Sequence, residues 1–249
     1  EYSISLSLDP KANVLVNLEA TVLKPSTHPN MTCTVSPSQI IFNNRTSTAV
    51  TVSVGGNQVD EGTNAIAFQC KVTHSVVSSD SKYKNIPDRY MEVNVVNDDV
   101  ADAYLWTYNE HEKRFGYQTR FVGTLCNKEG KTVKYGVRLN TEPTHVVRIT
   151  PVIVMVNNSM VYLPPQVILN QHHFVFGPSN WSTTQLITAH SLPNDVDHDD
   201  IEFKIQHTIT SDDAVFVKKA TQLALQTVFT ITDDDVAGIR LNTNVLTVQ

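Results

Sequence analysis

The chain reads as an all-β protein: two tandem immunoglobulin-like antiparallel β-sandwiches followed by a spare strand. Three observations predict this. Apolar and polar residues alternate at period two through much of the 249-residue sequence, the pattern of strands with one wet face. Turn residues interrupt these runs roughly every 8–12 residues, the spacing of a sandwich. Finally, Asn97-Asp98-Asp99-Val100-Ala101-Asp102 returns as Asp233-Asp234-Asp235-Val236-Ala237-Gly238. Each copy closes one alternating run and opens another, so it marks the junction of a repeated β-unit.

Other landmarks fix the period. Tyr2 and Tyr135 lie 133 residues apart, as do His74 and His207, and Asp99 and Asp235 lie 136 apart. The drift is the size of one loop insertion. Residues 1–99 form the first repeat, lacking its opening strand; 100–235 form the second; 236–249 are the opening strand of a following repeat or a donor strand.

In the first repeat, Ile4, Leu6 and Leu8 alternate with serines until Asp9-Pro10 ends the run. Val14, Val16 and Leu18 resume it, Met31, Cys33 and Val35 make a third strand closed by Ser36-Pro37, and Ile40 to Phe42 a fourth. Ala49 to Val54 runs into Gly55-Gly56-Asn57, a strong turn signal. Phe68, Cys70 and Val72, then Met91, Val93 and Val95, supply the last two strands. The second repeat opens with Ala103 to Tyr108, a strand without counterpart in the first. It continues through Lys128 to Pro143, Phe174 to Trp181, Thr184 to Thr188, an acidic loop from Asn194 to Asp200, and Phe203 to His207. Ala214 to Gln226 leaves room for one helical turn at most, and without crossover helices parallel pairing is not expected.

Composition narrows the function. Net charge is −6, and the 19 lysines and arginines are spread thinly, which argues against a nucleic-acid surface. No stretch reaches the roughly 18 apolar residues of a membrane helix. The sequence starts at Glu1 rather than Met, as in a processed chain or a segment of a longer one. No nucleophile elbow, phosphate loop or dinucleotide fingerprint appears, so no enzyme is expected.

The run Glu129-Gly130 through Tyr135, Val137, Leu139, Thr141 and Pro143, the Phe176-x-x-x-Asn180-Trp181 motif, the Asp-rich loop before Phe203-x-Ile205 and the closing Thr232-Asp-Asp-Asp235 carry a family resemblance. They resemble the Calx-beta-type and related immunoglobulin-like β-sandwich repeats of large extracellular surface and adhesion proteins. The resemblance is specific mainly in the second repeat; the first lacks Asn-Trp and has Gly55 to Glu61 in place of the acidic loop. It implies a seven-stranded extracellular module with a structural or adhesive role and no catalysis.

Asp98, Asp99, Asp195, Asp197, Asp199, Asp200 and Asp233 to Asp235 lie in loops near domain ends, where hard oxygens can hold Ca²⁺, and the resemblance implies calcium loops of this kind. Against this, Asp also favours turns because it satisfies local backbone donors. Cys33 and Cys70 share the inward register and are paired as a disulfide, with two buried thiols the alternative; Cys126 is left over. Sequons stand at Asn30, Asn44, Asn157 and Asn180, about as many as chance gives. His172-His173, His190 and His198 lack zinc spacing and read as ordinary histidines.

The ends are complementary: one repeat lacks an opening strand, and Ile239, Leu241, Val245 and Val248 make an opening strand with no sandwich after it. If one molecule's strand fills the next molecule's vacancy, the contact does not close and builds a filament. Equally, the chain reads as a slice of a longer covalent array. The first function expected is thus a non-enzymatic, extracellular, glycosylated structural protein assembled head to tail. The second is a cell-surface adhesion module that binds carbohydrate or protein, with or without calcium.

Overall fold

The computed structural model describes all residues except 24–30, 63–64, 120, 156–166, 221–224 and 240–249, and omits the side chains of 117–119, 121–128, 155 and 219–220. By internal contacts the chain divides into unit 1, Glu1–Val100, and unit 2, Ala101–Gln249. Both are β-sandwiches.

Among the described residues unit 1 has seven strands: β1 (Tyr2–Ile4), β2 (Val14–Val22), β3 (Thr32–Ser36), β4 (Gln39–Phe42), β5 (Thr48–Gly55), β6 (Ile66–Ser78) and β7 (Arg89–Val96). They form a three-stranded sheet, β1-β5-β3, and a four-stranded sheet, β4-β2-β6-β7. The alternation seen in sequence becomes the inward face: Val14, Val16, Leu18, Ile40, Phe42 and Val50 are buried together. Cys33 on β3 is bonded to Cys70 on β6, so the disulfide ties one sheet to the other.

Unit 2 is larger than the seven strands implied by the resemblance. It contains β8 (Ala103–Asn109), β9 (Arg114–Thr119), β10 (Phe121–Lys128), β11 (Thr132–Leu139), β12 (Val147–Met155), β13 (Val167–Leu169), β14 (Phe174–Phe176), β15 (Gln185–Ser191), β16 (Ile201–Ser211) and β17 (Leu225–Thr232). Its sheets run β13-β15-β11-β8-β9 and β10-β17-β16-β12-β14. Tyr135, Phe174, Phe176, Ile205 and Phe229 anchor the core. Two expectations need correction. The segment after Asp213 is a seven-residue helix, α1 (Ala214–Ala220), rather than a single turn; Phe216 plugs it into the core, and tertiary burial overrides weak helical patterning. Also, β10 pairs with β17 in parallel. No crossover helix is needed, because β9 ends at Thr119 in one sheet and β10 begins at Phe121 in the other. No helix among the described residues is long and apolar enough to cross a membrane.

The repeat is visible in small devices as well as strands. The carboxylate of Asp80 accepts hydrogen bonds from the backbone N–H groups of Lys11 (2.6 Å) and Lys82 (2.9 Å). These bonds hold its pKa below the ordinary carboxylate range. Asp213, 133 residues later, accepts from the N–H of Thr144 (2.8 Å), the Thr144 hydroxyl (2.8 Å) and the N–H of Val215 (3.0 Å). Asp213 is buried, so Asp213→Ala strands three donors and is expected to cost unit 2 about 1–3 kcal/mol, read as a lowered denaturant midpoint by tryptophan fluorescence.

Candidate functional site

Two places stand out, one in each unit. The first is a seam in unit 1. In unit 2, β11 is flanked by β15 on one side and β8 on the other, with Val137 opposite Leu105 and Leu139 opposite Ala103. Beyond β8, the chain crosses through β9 to β10 and covers β17. Tyr135, Val137 and Leu139 are consequently fully buried, as are Thr227, Phe229 and Ile231. The corresponding strand of unit 1, β1, pairs with β5 alone among the described residues. Tyr2, Ile4 and Leu6, the counterparts of Tyr135, Val137 and Leu139, are only half-buried, and so are Met91, Val93 and Val95 on β7. A cleft of about 530 Å³ opens there, with Tyr2, Ile4, Leu6, Val76, Tyr90 and Met91 in its wall. Packing explains one further difference: Gly136 sits beneath the Phe115 ring of β9, where a Cβ would collide, while unit 1 has Ser3 in that place.

The Tyr–His pairs show the same contrast. Tyr135 Oη lies 3.0 Å from His207 Nε2, and His207 Nδ1 lies 3.0 Å from the carbonyl of Leu225. A carbonyl only accepts, so Nδ1 carries the proton and Nε2 accepts from the phenol. Burial pushes the His207 pKa down to about 4 and pushes the Tyr135 phenol up. Tyr2 and His74 repeat the contact at 2.6 Å in a part-buried setting.

The second place is the acidic junction of unit 2. Glu129 enters from the turn after β10, where Gly130 takes φ 67°. Asn194 donates to both of its oxygens, from the backbone N–H at 2.9 Å and from the side-chain amide at 2.5 Å. His198 Nε2 approaches Glu129 Oε1 at 3.2 Å, and its Nδ1 is 3.8 Å from Asp233 Oδ1. The side chains of Glu129, His198 and Asp233 are 2%, 7% and 8% exposed. Although burial opposes its charge, the Asp199 carbonyl and the carboxylates of Asp233 and Glu129 hold the His198 pKa above its ordinary value. Burial first, then Asp233, Asp195, Glu129 and Asp234, raises that of Asp235. Asp233 Oδ1 and Asp235 Oδ2 are buried without a hydrogen-bond partner.

The predicted acidic residues therefore divide. Asp233, Asp234 and Asp235 converge with Glu129, and Asp195 adds charge nearby. Asp197 accepts from the N–H of Ala237 (2.7 Å) and Asp200 from that of Asp233 (3.1 Å), the turn-forming role. Asp199 contributes its carbonyl, to His198. In unit 1, Asp98 and Asp99 face Asp60 and Glu61, and burial and then Asp98, Glu61 and Asp60 raise the Asp99 pKa. There Asn97 occupies the position of Asp233, and its amide donates to Asp60 Oδ1 (3.2 Å), the Gly62 carbonyl (3.1 Å) and the Asp99 carbonyl (3.0 Å). Glu129 and His198 were not among the expected metal residues. His198 was discounted for lack of zinc spacing; its place within the Asp-rich loop was the usable signal.

Asn44 is exposed, whereas Asn180 spends its amide in a turn, donating to the Val175 carbonyl (3.1 Å) and accepting from the N–H of Gly177 (2.7 Å). Asn30, Asn157, Leu241, Val245 and Val248 lie outside the described residues, as does the side chain of Cys126 on β10. Ile239 is 93% exposed.

No family model matches the sequence, and no curated protein matches it. Among solved structures, the chain is similar to the periplasmic chaperone SfaE at 9% identity and TM-score 0.32, over 47% of this chain and 56% of that one. It is similar to the ASH/PapD-like domain 7 of human CEP192 at 10% identity and TM-score 0.29, over 47% and 83% of the two chains. A family 123 glycoside hydrolase from Clostridium perfringens matches at 8% identity and TM-score 0.32, over 55% and 27%. The chain thus spans little more than half of the chaperone. These are partial likenesses, and the sandwich assignment rests on the strand registers described above.

Proposed function

We propose that the chain is a non-enzymatic, extracellular structural subunit that assembles head to tail, residues 236–249 of one copy completing unit 1 of the next. The observation that carries this reading is the seam along β1: equivalent side chains are fully buried where β8 is present and half-buried where it is not. The chain also carries a segment of the right type. Val236-Ala237-Gly238-Ile239-Arg240-Leu241 follows the second junction as Val100-Ala101-Asp102-Ala103-Tyr104-Leu105 follows the first. By analogy with β8 on β11, Leu241 lies opposite Ile4, Ile239 opposite Leu6, and Arg240 opposite Ser5 on the outer face. Strand addition satisfies the free edge of β1 and buries its apolar row. A disulfide in unit 1 suits an oxidising, extracellular setting, and exposed Asn44 is the described sequon best placed to carry a glycan.

Electron microscopy and light scattering of the chain and of a variant ending at Asp235 test the proposal. Polymers are expected from the first and monomers from the second. A Ser5→Cys/Arg240→Cys variant is expected to form a ladder of disulfide-linked species under oxidation. If the full chain stays monomeric at high concentration and yields no ladder, assembly between copies is wrong, and the strand belongs to a neighbouring repeat of a longer chain.

A further inference from the structure

We propose that Glu129, His198 and Asp233 bind a borderline divalent transition ion, Zn²⁺ being the simplest case, and that this site is distinct in kind from a calcium loop. One ligand atom of each residue lies within 4.8 Å of the others. The ring orientation of His198 supplies the argument. Its Nδ1 lies 2.8 Å from the carbonyl of Asp199, so Nδ1 bears a hydrogen and Nε2 is the ring nitrogen that can give its lone pair to a metal when the ring is neutral. Nε2 faces Glu129 Oε1 at 3.2 Å, with the Asn194 amide nitrogen 3.3 Å away. A proton on Nε2 can bridge these two atoms, and a divalent cation bound there takes that proton's place. A ring N–H donated to a backbone carbonyl, with the other nitrogen free, is how protein histidines are oriented towards metals.

Asp233 is the independent observation. Its side chain is 8% exposed and its Oδ1 has no hydrogen-bond partner, His198 Nδ1 standing off at 3.8 Å, an unsatisfied acceptor that a directly bound cation would engage. Its Oδ2 is already engaged by the N–H of His198 at 3.1 Å, so Oδ1 is the atom available. Unit 1 differs at this position: Asn97 replaces Asp233, and its amide donates to Asp60 Oδ1 and to the carbonyls of Gly62 and Asp99, while Glu61 Oε2 and Asp99 Oδ2 are buried without a partner.

The donor set decides the class of ion. Calcium takes roughly six to eight oxygens at about 2.3–2.6 Å, and here a nitrogen takes one corner. One imidazole nitrogen with two carboxylates suits Zn²⁺, whose ligands stand at about 2.0–2.2 Å in a tetrahedron. Asp234 and Asp235 form a second acidic group with Glu129.

The test uses the full chain, stripped with chelator, and Zn²⁺ or Ca²⁺ as the probe. Native mass spectrometry is expected to show one tightly held Zn²⁺ per chain, and Co²⁺ in its place should give the intense visible absorption of a tetrahedral site. His198→Gln should weaken Zn²⁺ by more than about 100-fold, while a His172→Gln/His173→Gln control leaves it unchanged. Asp233→Asn, which installs the amide used in unit 1, should keep the fold without metal and lose the ion. Zn²⁺ retained by His198→Gln, or a wild-type chain that binds Ca²⁺ but not Zn²⁺, or neither, would overturn the proposal.

Discussion

His207 is expected to take up to about 3 kcal/mol from the stability of unit 2 between pH 6.5 and pH 4, with His198, whose pKa is raised, pulling the other way. His207 is buried against Tyr135, with its pKa pushed down to about 4 from an ordinary 6.5. The folded state therefore resists a proton that the unfolded chain accepts. Above pH 6.5 neither state is protonated and the group has no effect. As pH falls below 6.5 the unfolded state alone binds the proton, and stability drops until the folded state titrates near pH 4. Both tryptophans, Trp106 and Trp181, lie in unit 2, so their fluorescence follows this unit without interference from the other. Urea midpoints should fall steeply across this window in the native chain and much less in His207→Leu, which cannot titrate. Tyr135→Phe should cost about 1–3 kcal/mol at neutral pH by leaving Nε2 buried without its donor. An unchanged pH slope in His207→Leu would assign the acid sensitivity elsewhere.

Removing the Cys33–Cys70 bond should destabilise unit 1 by about 4 kcal/mol and leave unit 2 untouched. The residues are 37 apart in sequence, with Cα atoms 6.3 Å apart. Closing a loop of that length restricts the unfolded chain by about this amount in the entropic account. Unit 1 depends on it more than its size suggests, because the open seam leaves Tyr2, Ile4 and Leu6 half-buried, so less apolar area holds the sheets together. In a Cys33→Ser/Cys70→Ala variant, hydrogen exchange along β2 and β6 should accelerate while the tryptophan transition stays in place. Equal losses in both units would mean that the two do not unfold independently.

Much of this fold was legible in sequence because burial on one face imposes a period of two, and the strands around Val14, Phe42, Phe68 and Phe203 obey it. The repeat was legible because Tyr2 partners His74 and Tyr135 partners His207, and partnered residues keep their spacing. What escaped was set by contacts between distant segments. Nothing local announces that β10 joins β17 in parallel, and α1 depends on Phe216 finding the core. The junction was half legible. Runs of Asp marked the place, but Asp serves turns as readily as ions, and only the fold brings Glu129 and His198 to Asp233. Asn97 against Asp233 looks like a minor difference in sequence; the surrounding oxygens give it meaning.

The parallel pairing of β10 also sets a timetable. Phe121 faces Gln226, so at roughly 5–20 residues per second on the ribosome the partner of β10 is made about 5–20 s after it. During synthesis β8, β9 and β11 can assemble early, while β10 waits with an unpaired edge for the last strand of its unit to emerge. Sandwich closure in unit 2 is thus a late event governed by translation, and a pause before Leu225 extends the period in which a nascent chain can pair with the wrong neighbour.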